Sequence, residues 1–388
     1  MKRALYTIGL ILICLLIGYG VGMGIGHLIN EGGDGNIDKV KMAKAVLTSF
    51  VALIISVFAN VILHEAGHLV GGLLTGYKFL SFRIFKFTLQ KEDDGWHWKK
   101  FNIPGTLGQC LMCPPHTEPV PYFWYNVGGV MANLIAGIVN AALLIFADLT
   151  ALSFTICAML LGVSIWLMLI NGIPMTPGGT PNDGKNILIL WRHPEQRKYF
   201  HNMLAVVGEQ SQGKRLSELP EDWFYSEPVT KDSTVMEISA RSLYYSRLAD
   251  EMRFEEARLI TEELTALGES LPMIFQMELS GDRLLLELIT LNRNDVVDEL
   301  WNKKFGSNGM NLQKYVTSYS KYFPLKNCIL FAYETFNNQS PESAQRYYDE
   351  VESKRNAYTQ PGEARTAMAI MEKLTQQISN NASHSNYC

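Results

Sequence analysis

Between Lys44 and Lys78 the chain carries one formally charged side chain, Glu65, and two histidines bracket it in the run His64-Glu65-Ala66-Gly67-His68. On a helix, residues four apart share a face, so His64 and His68 can offer two imidazoles to one ion. Glu65 stands beside them as a base for water held there. The bare run is only moderately specific, and its setting says more. An ionisable group deep in an apolar helix is costly and rarely sits there without a partner or a task. A bound divalent ion answers for all three polar side chains at once, which makes His64 and His68 candidate metal ligands and Glu65 a candidate catalytic base.

Two imidazoles do not complete a catalytic zinc site, which usually has three protein ligands and one open position. Two carboxylates compete for the third place. Asp148 belongs to the expected far end of another apolar stretch, whereas Asp183 follows the next stretch on the side of the histidine motif. The segment from Asn171 to Gly184 holds three prolines and four glycines, which prevent a regular helix. Irregular backbone at membrane depth survives only inside protein or along a watered cavity. The segment therefore reads as a site-forming loop with Asp183 as the third ligand; its other reading is an ordinary Asp-Gly turn.

These residues need a scaffold, and four apolar stretches are long enough to cross a bilayer: residues 4–29, 45–77, 122–147 and 149–173. In the first, Gly18, Gly22 and Gly26 lie four apart, with Gly20 and Gly24 interleaved, a spacing that lets helices approach closely. Lys and Arg favour a cytoplasmic N-terminus and cytoplasmic placement of residues 78–121 and of everything after 173. Charge is uneven along the chain: residues 1–200 carry 15 Lys/Arg against 11 Asp/Glu, and residues 201–388 carry 19 against 27. Only 19% of residues are charged and 47% are hydrophobic, which excludes a single soluble globule. No basic stripe exists, which excludes nucleic acid as a partner of a basic face. Six scattered cysteines exclude a disulfide scaffold.

Three motifs in order resemble the site-2 protease family, the zinc metalloproteases that cut peptides within or beside a membrane. His64-Glu65-Ala66-Gly67-His68 matches its first motif. Gly128-Gly129-Val130-Met131-Ala132-Asn133 is similar to its small-residue and Asn motif. Asn171, Pro174, Pro177 and Asp183-Gly184 resemble its Asn-Pro-Pro-Asp-Gly motif. Departures exist: the last segment is about four residues longer than the family pattern, Asn182 stands where a Leu is usual, and Gly129 replaces a common Pro. The resemblance spans about residues 45–190. It implies Zn²⁺ held by His64, His68 and Asp183, acidifying water whose proton Glu65 takes and later gives to the leaving amine. It further implies that Asn133 touches the substrate backbone or an oxyanion; an interhelical hydrogen bond is the equal alternative. The substrate would be a membrane protein or peptide, with the lipid bilayer as the other partner. Two other classes stay open: a catalytically silent, metal-stabilised membrane scaffold whose helical domain recruits partners, and a transporter using the same residues as ion ligands.

Around Asp93-Asp94-Gly95, residues 79–102 alternate aromatic and polar side chains, which predicts a β-hairpin. Such a hairpin either offers an edge to an extended substrate or sets Trp96 and Trp98 among lipid headgroups. Cys110-Leu-Met-Cys113 with His116 reads as apolar packing rather than a metal or redox pair. From about residue 191 the pattern is helical, with helices expected at 235–252, 254–267, 284–291, 295–303, 312–322, 327–336, 341–356 and 362–378. The expected fold is an all-α membrane protein: a four-span transmembrane core in residues 1–190 with a small cytoplasmic β-hairpin, then a soluble, tetratricopeptide-like α-helical domain in residues 191–388. It would sit in the cell membrane with both termini cytoplasmic, and residues 191–388 would serve a cytoplasmic protein partner.

Overall fold

The structure, a computed structural model, describes residues 18, 20, 22–29, 39–92, 94–101, 106–117, 119–177, 180–306 and 309–385. Most of the first apolar stretch therefore lies outside the described residues; its end, residues 22–29, is helical (α1). Three described helices are long and apolar enough to cross a membrane: α2 (Lys39–Leu74), α3 (Phe123–Phe146) and α4 (Ala151–Gly172).

These helices are inside-out relative to a soluble bundle. The buried positions of α3 are Asn126, Gly129, Asn133, Gly137 and Asn140, while Ile135, Ile138 and Phe146 face outward. On α2 the buried stripe includes Ser49, Ser56, Asn60, His64 and His68, with Leu47, Phe50 and Ile55 exposed. Lipid is as apolar as leucine, so such helices gain by packing small residues and pairing polar groups with one another. Asn60 does most of that pairing. Its amide nitrogen donates to the Ser56 carbonyl (3.1 Å) and the Leu160 carbonyl (3.2 Å), and its Oδ1 accepts from Ser164 Oγ at 2.6 Å. Between α1 and α4 the phase differs from the expected glycine stripe. Gly18, Gly22 and Gly26 have open space beside them, whereas a Cβ at Gly24 would meet Thr155 at 2.9 Å.

Between α2 and α3 the chain forms a four-stranded antiparallel sheet, ordered β3-β2-β1-β4: β1 (Lys78–Ile84), β2 (Phe87–Glu92), β3 (Gly95–Lys100) and β4 (Gly108–Cys113). The expected hairpin is β2–β3, with Leu89 opposite Trp98. Two strands were not expected. β1 turns into β2 through Phe85, which has a φ of 53°, and the Cys110–Cys113 run is itself a strand. Cys110 and Met112 pack with Tyr77 in a small apolar cluster, in line with the packing reading.

After α4, α5 (Asp183–Arg192) continues past residue 190, so the expected domain boundary falls inside a helix. The following helix α6 (Gln196–Ser211) lays Gly208 against Leu80 and Cys113 of the sheet. The remaining helices are α7 (Val235–Asp250), α8 (Phe254–Thr265), α9 (Met273–Thr290), α10 (Asn294–Asn302), α11 (Leu312–Tyr319), α12 (Pro324–Phe336), α13 (Pro341–Lys354) and α14 (Pro361–Ser385). They share one core that includes Leu264, Leu284, Ile329, Val351 and Leu374. All eight expected helices exist, but α9 begins eleven residues before the expected Leu284.

Candidate metal centre

Helix α2 and the start of α5 bring His64, His68 and Asp183 together. Their ligand atoms lie close enough to hold one metal ion, and all three residues are buried or half-buried. His64 Nε2 and His68 Nε2 are 3.1 Å apart, and Asp183 Oδ2 lies 3.2 Å from the first and 3.4 Å from the second.

The approach of α3 to α2 depends on glycine. A Cβ at Gly67 would fall 2.2 Å from the Gly128 carbonyl oxygen, and one at Gly71 would fall 2.1 Å from that of Trp124. The pairs lie four apart on each helix, so the two backbones cross in direct contact. Gly129 lies under the ligands, where a Cβ would sit 2.6 Å from His68 Nε2. Gly184 does the same at the start of α5, where a Cβ would be 2.1 Å from the Gly172 carbonyl oxygen. Asn182 ties α5 to the end of α4 and the residues that follow it. Its Oδ1 accepts from the amides of Met175 (3.0 Å) and Lys185 (2.9 Å), and its Nδ2 donates to the carbonyls of Ile170 (2.5 Å) and Ile173 (2.7 Å). One side chain thus caps α5 and pins the residues that follow α4, holding Asp183 in register.

The partners of the imidazoles assign their protons. His68 Nδ1 lies 2.7 Å from the Tyr125 carbonyl, which can only accept. His64 Nδ1 lies 2.8 Å from Asn133 Oδ1, and that amide is oriented because Asn133 Nδ2 donates to the Asn60 carbonyl at 3.1 Å. Both Nδ1 atoms therefore carry hydrogen, and in the neutral tautomers both Nε2 atoms present lone pairs. Asp183 Oδ2 is buried and receives no hydrogen bond. Three acceptor atoms converge with no donor among them. Such a cluster is unfavourable unless a cation or protons occupy its centre.

Asn133 makes the hydrogen bonds of the interhelical reading: its amide is engaged by His64 and Asn60 and so orients a candidate ligand. Glu65 is buried on α2 between the two candidate histidine ligands. Its carboxylate packs on β4, where a Cβ at Gly108 would lie 2.5 Å from Glu65 Oε1. Gly108, Asn60 and Tyr125 carry no signal in the sequence that marks them for the site. Arg83 carries none either: it is 1% exposed and donates to the carbonyls of Phe85 (2.7 Å) and Gly108 (3.2 Å), bracing the wall beside Glu65. A second group, Glu92, Asp94 and His97, also has metal-compatible spacing, but it lies half-exposed at the β2–β3 turn. Burial pushes the Cys110 thiol up to about 12, so it stays protonated and inert at neutral pH.

Comparison of the chain with family models, with curated proteins and with solved structures gives no match. The metal-compatible cluster among membrane-length helices stands on its own geometry.

Proposed function

We propose that this protein is a zinc endopeptidase of the site-2 type, acting on peptides in or beside the membrane. The observation that carries the reading is the convergence of two imidazole lone pairs and one unpartnered carboxylate oxygen on a single point. The dimensions fit: ligand atoms about 2.0–2.1 Å from a tetrahedral zinc lie ~3.3 Å from one another. The second partners fit as well, since metal-bound histidines usually donate their other N–H to a carbonyl or amide oxygen.

A zinc ion held by His64, His68 and Asp183 supplies a Lewis acid that polarises a peptide carbonyl and acidifies water. The rest of the chemistry belongs to the chain. Glu65 takes one proton from the attacking water as the new C–O bond forms, and returns it to the nitrogen as the C–N bond breaks. Asn133 and the Tyr125 carbonyl hold the imidazoles in the tautomer that leaves Nε2 free. Gly129 keeps the space over the ligands clear.

The proposed setting is a four-span core, with residues 4–29 as the first span, in a cell membrane with both termini in the cytoplasm. The C-terminal helices, stacked in tetratricopeptide-like fashion, form a cytoplasmic domain that contacts a protein partner. A Glu65→Gln variant tests the reading. It should retain zinc and fold while losing cleavage of a membrane-embedded peptide. Cleavage at the wild-type rate by that variant would reject Glu65 as the base, and a variant with unchanged cellular phenotype would favour the silent scaffold.

A further inference from the structure

The stripe of α2 that carries Glu65 continues in both directions as Phe58, Ile62, Leu69 and Leu73, and these line a groove of about 1190 Å³. Its other wall is the apolar face of the sheet, including Phe82, Leu89 and Trp98. The opposite, polar face of the sheet meets the segment that leads into α14. Gln90, 1% exposed, donates to the Thr359 carbonyl at 2.9 Å, and Lys99 donates to the Tyr358 carbonyl at 2.7 Å. Phe101 meets Phe323 edge to face, with ring centres 5.4 Å apart. This seam brings the turn between α11 and α12 around to the groove, where Tyr322 joins the lining.

That corner is basic. Lys86 lines the groove in the β1–β2 turn, and its carbonyl accepts from the Phe101 amide at 3.0 Å, beside Lys100 at the end of β3. Lys321 holds its ammonium 4.9 Å from the centre of the Tyr322 ring. All three lysines are exposed, and none takes part in the ion pairs found among the described residues. The acidic residues of this sheet, Glu92 and Asp94, lie at the opposite end of the β2–β3 hairpin.

We infer that the groove docks an extended apolar peptide segment with an acidic flank, and that Lys86, Lys100 and Lys321 read that flank at the corner made jointly by sheet and C-terminal domain. The inference rests on the protease reading for what becomes of the peptide, but not for its binding. Apolar side chains fill the space between α2 and the sheet; Glu65 lies between Ile62 and Leu69 on the same stripe of α2, buried behind the groove wall. Carboxylates beyond that segment meet three cations. Lys321 and Tyr322 make the C-terminal domain part of substrate selection.

The test uses the full-length protein in phosphatidylcholine nanodiscs and a fluorescein-labelled Leu/Ala peptide ending in three aspartates, with an otherwise identical peptide ending in three asparagines. The acidic peptide should bind about tenfold tighter, the yield of a few exposed ion pairs. The preference should collapse at high salt and in the K86Q/K100Q/K321Q variant, while Tyr322→Ala should weaken both peptides alike. K321Q alone should remove part of the preference. Equal binding of the two peptides, or an undiminished preference in the triple variant, overturns the inference. So does a triple variant that changes only the retention of added phosphatidylglycerol, because the corner then serves a lipid headgroup. A chain that prefers the acidic peptide but cleaves nothing keeps the inference and refutes the protease.

Discussion

In the C-terminal domain, Glu278 on α9 accepts from the Tyr315 hydroxyl and pairs with Lys326, and Asp282 one turn later accepts from the Tyr245 hydroxyl. At the membrane end, Asp183 Oδ2 faces two imidazole lone pairs and receives nothing. Both regions bury carboxylates among helices. The first supplies its own cation and hydroxyl donors and is complete as folded. The second assembles acceptors only, oriented by Asn133 and the Tyr125 carbonyl, and so demands something from outside the chain. The difference separates a structural polar cluster from a candidate site: what matters is less the presence of charge than whether the chain provides the complement.

Substitutions should widen that contrast. Asp183→Ala is expected to have the largest effect, with zinc content by atomic absorption falling from near one per chain to background after dialysis, and peptide cleavage lost with it. Unchanged zinc would move the third ligand elsewhere. Asn133→Ala should keep the three ligands but loosen them, weakening zinc affinity about 10–100-fold, as loss of a ligand's hydrogen-bond partner typically does; competition with a chelator measures it. Lys326→Met should leave zinc untouched and destabilise the C-terminal domain by about 1–3 kcal/mol, less than for a fully buried pair because Glu278 keeps contact with solvent. Denaturant unfolding followed by a probe in that domain reads this out.

Acidification should move the two regions in opposite directions by a smaller amount. Burial raises Asp282 to about 6 and Glu363 to about 7 from ordinary values near 4, against the opposing pull of Lys326. The folded domain then holds more protons than the unfolded chain between those limits. The stabilisation is complete below the ordinary carboxylate range and is lost as pH rises through the folded values. The unfolding temperature of the domain should therefore climb by a few degrees from pH 8 to pH 5. The proposed zinc site should weaken over the same range, because protons compete for its imidazoles. Parallel trends in the two regions would remove the distinction between them.

Much of this was legible in the chain, for identifiable reasons. His64, Glu65 and His68 are set by helical phase, and Asp183 by the inability of its proline-rich segment to cross lipid unsupported. The helices of the C-terminal domain follow their apolar period, and α9 shows its limit: Glu278 and Asp282 interrupt the pattern, and only Lys326 and two tyrosines, distant in sequence, make them tolerable inside a helix. The β1–β2 turn carries no glycine or asparagine signal because Phe85 takes the left-handed conformation itself. Gly108 and Asn60 matter through what they touch across the fold, which no local pattern encodes. In the glycine-rich α1 the spacing was visible but not the face, since close packing selects Gly24 only once Thr155 is opposite it.

The backbone-to-backbone crossing of Gly67 with Gly128 and Gly71 with Trp124 seals one flank of the centre, and no strand can slip between those helices. In the proposed reaction a peptide docked in the groove would reach the imidazoles from the flank of the sheet, and its fragments would leave along the same groove. A spent fragment would then obstruct the next arrival, so in the proposed reaction turnover would slow as product accumulates, with inhibition competitive in form.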